Sequence, residues 1–318
     1  MSLPPIFSNL RVPVIGAPLF IVSNPALVIA QCKAGIVGSF PSLNARPASQ
    51  LDEWLHEITE ALAEHDRGHP DSPAAPFAVN QIVHRTNDRF EHDMQVCAKW
   101  KVPIVITSLG AREDLNHAVH DWGGVTLHDI IDDRYARKAI EKGADGIIAV
   151  ACGAGGHAGR WSPFALIHEI RKWFDGPLVL SGAIATGGAI LAAEAMGADL
   201  AYIGSPFIAT PEARATDEYK QAVVASGAAD IVNSSLFTGI PGNYLRSSIV
   251  SAGLDPDNLP TGSPADMGFA SASGAKAWRD IWGSGQGIGA VDRVQPTTQL
   301  VARLIEEYRA AKARVCPS

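Results

Sequence analysis

Cysteine is scarce. The chain of 318 residues has four, Cys32, Cys97, Cys152 and Cys316, all far apart. None shares a C-x-x-C or zinc-type spacing, which argues against a disulfide scaffold and a structural metal site. Reduced thiols in a cytoplasmic protein are expected. Charge is also sparse, at 19% of residues with a net charge of −7. No basic run is present, so nucleic acid is not the expected main partner. No apolar run approaches the roughly 20 residues of a membrane-spanning helix. No basic-then-apolar leader with a small-residue cleavage site is read at the start. Homo-oligomerisation is left open by the sequence.

What is present is apolar and orderly. Hydrophobic residues make up 47% of the chain, the composition of a globular protein. Its length suits an α/β barrel with additions. Eight short apolar runs recur: PVIGAPL (13–19), AGIVGSF (34–40), PFAVNQI (76–82), VPIVITSL (102–109), VTLHDI (125–130), GADGIIAV (143–150), GPLVLSGAI (176–184) and ADLAYIGSPF (198–207). They are near-continuous and not alternating, the pattern of parallel strands covered by helices. Amphipathic stretches such as RYARKAIEKG (134–143) and GGAILAAEAMG (187–197) lie between them. Both end in a glycine suited to a helix C-terminus, followed by Ala-Asp and a strand. This echo, EKGADGIIA against AMGADLAYI, marks a serial βα unit. The pattern predicts a (β/α)8 barrel, with an open doubly wound sheet as the alternative.

After the eighth run the regularity changes. Residues 211–226 look helical. Residues 227–284 are rich in Gly, Ser, Pro and Asn and too long for a plain loop. The expected division is a barrel over 1–226, an inserted, partly helical subdomain or lid over 227–284, and a segment returning to the barrel over 285–318. The last segment carries a helix at 297–314.

Barrels of this kind bind ligands at the C-terminal ends of their strands. The first run ends in Ala17-Pro18-Leu19, flat backbone against which a planar ring can lie. The third ends in Asn80-Gln81, two amides able to bond a heteroaromatic edge. The fifth ends in His128-Asp129, which reads as structure first, with a site role as the alternative. The sixth opens the loop ACGAGGHAGR (151–160), where His157 sits among four glycines. A histidine on such bare backbone can act as acid, base or ligand, or simply mark a tight turn. Cys152, five positions away, reads as a buried and inert thiol, with a Cys/His nucleophile as the alternative. Runs seven and eight end in Ser181-Gly182-Ala183 and Gly204-Ser205, small residues in the loops that bind phosphate in many barrels. His84, His92, His117 and His120 read as solvated.

Taken in order, these motifs resemble one family. GAP near the start, VN at strand three, AGGHAG at strand six, SGAIATG at strand seven, GADLAYIGSPF at strand eight and a late GQG are similar to the nitronate monooxygenases, formerly called 2-nitropropane dioxygenases. The resemblance spans nearly the whole chain and is weakest over 227–284. It implies an FMN-dependent barrel. His157 would be the active-site histidine. Ala17, Pro18, Leu19, Asn80, Gly156 and Gln286 would meet the flavin, with His128 as a further contact. Gly182, Ala183, Gly204 and Ser205 would cradle its phosphate. No metal is implied. The implied reaction is oxidation of an alkyl nitronate, or a nitroalkane, by dioxygen to a carbonyl compound and nitrite.

The chain departs from the family pattern at four positions. Leu19 stands for a common methionine, Ala158 for arginine or proline, Ala183 for a second glycine and Ser205 for threonine. The same scaffold also resembles FMN-dependent NAD(P)H:quinone and enoyl-thioester reductases. A flavin-free barrel that binds a phosphorylated ligand is the alternative of another class.

Overall fold

A computed structural model describes residues 3–262 and 278–315. Cys316 and residues 263–277 of the expected insertion lie outside the described residues. All eight apolar runs contain strands: β1 (Val14–Gly16), β2 (Gly38–Pro41), β3 (Phe77–Ile82), β4 (Ile104–Ser108), β5 (Val125–Ile130), β6 (Gly146–Val150), then, beyond the short β7 (Gly156–His157), β8 (Leu178–Ser181) and β9 (Leu200–Ile203). They pair in parallel in the order β1-β9-β8-β6-β5-β4-β3-β2. The two ends of the sheet then meet. Gly16 N–H donates to the Val37 carbonyl at 2.7 Å and Val37 N–H to the Val14 carbonyl at 3.1 Å. The sheet is a (β/α)8 barrel.

Helices α1 (Pro25–Ala34), α2 (Gln50–Gly68), α3 (Phe90–Lys99), α4 (Glu113–Asp121), α5 (Asp133–Glu141), α6 (Pro163–Arg171) and α7 (Gly187–Met196) alternate with the strands. Asp132 and Thr186 cap α5 and α7 by accepting the N–H groups of Tyr135 and Ala189. Gly143 and Gly197, the glycines of the repeated GAD element, take φ of +87° and +108° just past their helices. That left-handed backbone is open to glycine at little cost and turns the chain into the next strand.

Side chains alternate between the two faces of a strand. Ile15, Val37, Ala78, Ile104, Ile106, Leu127, Ile148, Val179, Leu200 and Tyr202 form one cluster, which fills the barrel interior. Their sequence neighbours, among them Val14, Ile36, Val79, Val105, Ile147, Leu180 and Ala201, belong to the clusters between sheet and helices. Both faces of every strand are therefore dry, which explains the near-continuous apolar runs.

The eighth run proves shorter than its apolar stretch. β9 stops at Ile203, and Ser205–Ile208 turn into a short helix, α8. α9 (Asp217–Ala225) follows. The described residues of the insertion hold an antiparallel pair, β10 (Ile231–Ser234) and β11 (Gly242–Leu245), followed by α10 (Arg246–Ser251). β11 also pairs with β7, matching Gly242 to His157 and Asn243 to Gly156. These strands are four residues or fewer and hold Gly, Asn and Ser, so no period of two stands out in the sequence. No helix among the described residues is long and apolar enough to cross a membrane.

The last helix, α11 (Thr297–Val315), returns to the barrel wall as expected. It locks α7. Gly187 N–H donates to Glu307 Oε2 at 2.8 Å and Tyr308 Oη–H to Glu194 Oε2 at 2.6 Å. A Cβ added at Gly187 would lie 2.0 Å from Tyr308 N and 2.5 Å from the Leu304 carbonyl oxygen, both backbone atoms that cannot swing aside. Gly187→Ala is expected to destabilise the fold by about 1–3 kcal/mol or more, the range for overpacked contacts. Denaturant unfolding checks this; an unchanged midpoint would mean that α11 is not seated there.

Candidate active site

A cavity of about 780 Å³ opens at the C-terminal ends of the barrel strands. That is within the roughly 300–1,000 Å³ of cofactor and substrate pockets. Ala17, Pro18, Leu19, Asn80, Gly156, His157, Gly182, Ala183, Gly204 and Ser205 all line it. Two of the expected site residues do not. His128 is buried and points away from the cavity, where its Nδ1 meets the Thr107 hydroxyl. Its neighbour Asp129 lines the cavity instead. The period of two explains the exchange: Asp129 shares its face with Leu127 of the barrel interior. Gln81 is displaced in the same way. It is fully buried outside the cavity, with its Nε2 3.4 Å from Cys97 Sγ.

Gln286 also lies off the cavity wall and is exposed. Its backbone N–H donates to the Gly153 carbonyl at 2.9 Å. A Cβ on Gly155 would stand 2.8 Å from Gly285 N, and one on Gly159 2.4 Å from the Val150 carbonyl oxygen. The glycines of ACGAGGHAGR thus let the loop lie backbone to backbone against GSGQG (283–287) and against its own strand. Cys152, expected to be buried, is exposed on this loop. His84, expected to be solvated, sits half-buried at the cavity rim beside Thr86.

His157 is held by β7 and by a hydrogen bond from the insertion. Its Nε2 lies 2.9 Å from Thr238 Oγ1, and that hydroxyl donates to the Ile240 carbonyl at 3.1 Å. A hydroxyl has one proton. With that proton on Ile240, Thr238 accepts from His157, so Nε2 carries the hydrogen and Nδ1 keeps the lone pair. Trp278 packs edge-on to the imidazole at 5.3 Å. Burial pushes the His157 pKa down to about 4, because an imidazolium loses its hydration there. At neutral pH the ring is uncharged, with a basic nitrogen.

Small residues shape another part of the wall. Gly182 has φ of +142°, and a Cβ there would lie 2.8 Å from the Cys152 carbonyl oxygen. A Cβ at Gly204 would lie 3.1 Å from Leu19 and 3.4 Å from Ala17. Ala183 occupies the left-handed region at φ +55°, where glycine is the usual residue. Ser205 Oγ accepts from Gly285 N–H at 2.9 Å, which leaves its own proton for another acceptor. Bare backbone and a hydroxyl on one wall suit an anionic group, and the flat Ala17-Pro18-Leu19 segment suits a planar one.

The cavity floor carries a polar chain. Asn80 Nδ2 donates to the Ile106 carbonyl at 3.3 Å and to Ser108 Oγ at 2.7 Å. Ser108 Oγ–H donates to Asp129 Oδ2 at 2.6 Å. Among the described residues, the buried Asp129 Oδ1 and the buried Tyr202 hydroxyl have no hydrogen-bond partner. Burial pushes the Asp129 pKa up to about 7, against the smaller opposing effect of Ser108. Tyr202 is raised well above its usual value by burial and then by Asp129. The sequence reading missed Ser108, Thr238, Tyr202 and Trp278. The first and third were within reach, since each is a polar residue in phase with the interior face at a strand's C-terminal end. Thr238 and Trp278 reach the cavity from outside the βα repeat, and nothing local in the sequence marks them.

Comparison with known proteins bears on the fold and the family. A solved nitroalkane oxidase from Streptomyces ansochromogenes superposes with a TM-score of 0.81 at 23% identity, covering 98% of this chain and 99% of that one. The structure of FabK from Thermotoga maritima superposes at a TM-score of 0.76 and 22% identity, over 98% and 96% of the two chains. At these identities the likeness is one of fold. A nitronate monooxygenase from Paraburkholderia phytofirmans is 26% identical over 93% of this chain and 92% of its own. The family model for nitronate monooxygenase matches residues 6–307. The chain belongs to the nitronate monooxygenase family, a family of oxidoreductases.

Proposed function

We propose that the protein oxidises alkyl nitronates, and the nitroalkanes from which they form, with FMN and dioxygen, giving a carbonyl compound and nitrite. The observation that carries this reading is His157, an uncharged imidazole oriented by Thr238 on the wall of a cavity that also offers a glycine-lined anion site. Gly182, Ala183, Gly204 and Ser205 would hold the FMN phosphate, and Ala17, Pro18, Leu19 and Asn80 would meet its ring. Bound FMN supplies the electron-accepting chemistry that nitronate oxidation requires.

The protein's own residues handle the proton. Nδ1 of His157 takes it from the carbon beside the nitro group of a neutral nitroalkane. A base with a depressed pKa is deprotonated and ready across the neutral range. The imidazolium then formed faces the new nitronate, and opposite charges stabilise each other in a cavity shielded from water. Nε2–H stays on Thr238, so the ring does not rotate away. Phe237, Thr238 and Trp278 come from the insertion and line the cavity, and Thr238 and Trp278 contact His157. We read the described parts of 227–284 as a lid on a barrel formed by 1–226.

The visible spectrum of the purified protein is the first test. A yellow protein bleached anaerobically by a nitronate but not by NADH is the expected result. Rapid bleaching by NADH would make it a reductase on the same barrel. A colourless protein that takes up no added FMN would overturn the flavin reading. His157→Asn is expected to keep the flavin and lose about 100-fold or more of its turnover of neutral nitroalkane, within the usual range for a general base. Turnover within a few-fold of wild type would remove His157 from the mechanism. For the wild-type protein, kcat/KM for neutral nitroalkane should hold as pH falls to about 4 and then drop tenfold per unit as the imidazole protonates. A break near the ordinary histidine value would contradict the buried environment.

A further inference from the structure

Direction matters in the polar chain on the cavity floor. The Ile106 carbonyl can only accept, so the Asn80 group facing it is the NH2. That NH2 also donates to Ser108 Oγ, which leaves the Ser108 proton for Asp129 Oδ2. Asp129 therefore has one donor on one oxygen and, among the described residues, none on the other. Ile106, Val150 and Tyr202 belong to the interior cluster around it. The cations on the cavity wall serve elsewhere. Arg89 is engaged by the Ala45 and Ser42 carbonyls and by Asp93, and Arg46 is exposed over Phe20. A carboxylate so poorly supported keeps its proton, and a neutral carboxyl is a donor. Tyr202 adds a second hydroxyl, on a residue only 7% exposed and with no acceptor among the described residues.

We infer that Asp129 and Tyr202 form a hydrogen-bond donor pair on the cavity floor that takes an electron-rich oxygen of the bound ligand. The inference rests on the flavin reading for the identity of that ligand. Two sources carry the required chemistry: an oxygen of a planar oxyanion of the nitronate type, or a carbonyl oxygen on the flavin ring. Either one supplies the acceptor that the two O–H groups lack.

The pair predicts a pH effect with a definite sign. Asp129 titrates at about 7, so its donor is present below that pH and replaced by a repelling carboxylate above it. Other groups facing the floor do not change in this window. His157 on β7 titrates at about 4 and Tyr202 on β9 well above 10, while Asn80 on β3 and Ser108 on β4 do not titrate. At the rim, His84, Asp88, Arg46 and Arg89 are kept in every variant, so their contribution is common to all.

Calorimetry separates the sources. One arm titrates FMN into the flavin-stripped protein. The other titrates nitrate, a planar oxyanion ionised throughout, into the protein as purified. Both are run at pH 6, 7 and 9. Wild type is expected to lose roughly 50-fold in affinity between pH 7 and 9 in one arm, as the protonated fraction of a group titrating at about 7 falls. Loss in the FMN arm assigns the acceptor to the flavin ring, and loss in the nitrate arm assigns it to the substrate. Asp129→Asn, which keeps a donor at every pH, should bind with little pH dependence. Tyr202→Phe should bind about tenfold more weakly at every pH, as expected for one lost hydrogen bond. Ser108→Ala should move the midpoint upward, since the carboxylate loses its remaining donor. Wild-type affinity that is flat in both arms, or a slope that survives in Asp129→Asn, would overturn the inference. Failure to bind FMN at all would instead sink the flavin reading, and the nitrate arm would still judge Asp129.

Discussion

The alternation of side chains along the barrel strands is the constraint on which the rest depends. In a closed parallel barrel each strand has one face toward the interior and one toward the helices. At the C-terminal end the interior face becomes the floor of the cavity. A shift of one position therefore moves a residue from the site to the packing layer. Asn80, Ser108, Asp129, Ser181 and Tyr202 stand on the interior face and line the cavity, whereas Gln81, Thr107 and His128 do not. The same alternation pairs Thr107 with His128 outside and Ser108 with Asp129 inside. Two polar contacts between β4 and β5 thus differ in role because they lie on opposite sides of one sheet.

A second constraint holds the loop that carries His157. ACGAGGHAGR has little side-chain bulk with which to pack, so it is fixed by backbone. GSGQG covers it on one side and β11 pairs with it on the other. Both partners come from chain beyond the eighth strand. The added segments are therefore part of the site, because the imidazole of His157 would otherwise stand on an unsupported loop. The glycines are required by chain meeting chain, as Gly155 and Gly159 show, and not solely by a ligand that needs room.

This accounts for what could be read in the sequence and what could not. The barrel was legible because its signals are local: apolar runs of strand length, capped helices, and a glycine before each Ala-Asp. The wall at Gly182 and Gly204 and the loop at His157 were legible as strand ends of a known topology. His128 and Gln286 stand off the cavity wall for different reasons. For His128 the phase of the strand was the deciding signal, and Leu127 supplied it. For Gln286 the motif was recognised but its seating was not: its backbone N–H bonds the Gly153 carbonyl, and its side chain lies so close that a Cβ on Gly153 would stand 2.9 Å from its Oε1. Thr238 and Trp278 were out of reach, because pairing between β7 and β11 is non-local and joins two stretches without strand-like pattern.

The cavity holds two titratable groups that the same physical cause drives in opposite directions. Burial penalises charge on whichever form carries it, so the His157 pKa falls and the Asp129 pKa rises. Both groups are consequently neutral midway between pH 4 and 7, one with a lone pair and the other with a proton. On the proposed reading, these two groups leave the cavity able to accept a proton from a neutral nitroalkane at one wall and to offer a hydrogen bond at another. An imidazolium at His157 could not take the proton, and an ionised Asp129 would repel the anion that its removal creates. Neutral groups that interact most strongly only after the proton has moved stabilise the later stage selectively, which is the condition for catalysis rather than tight binding.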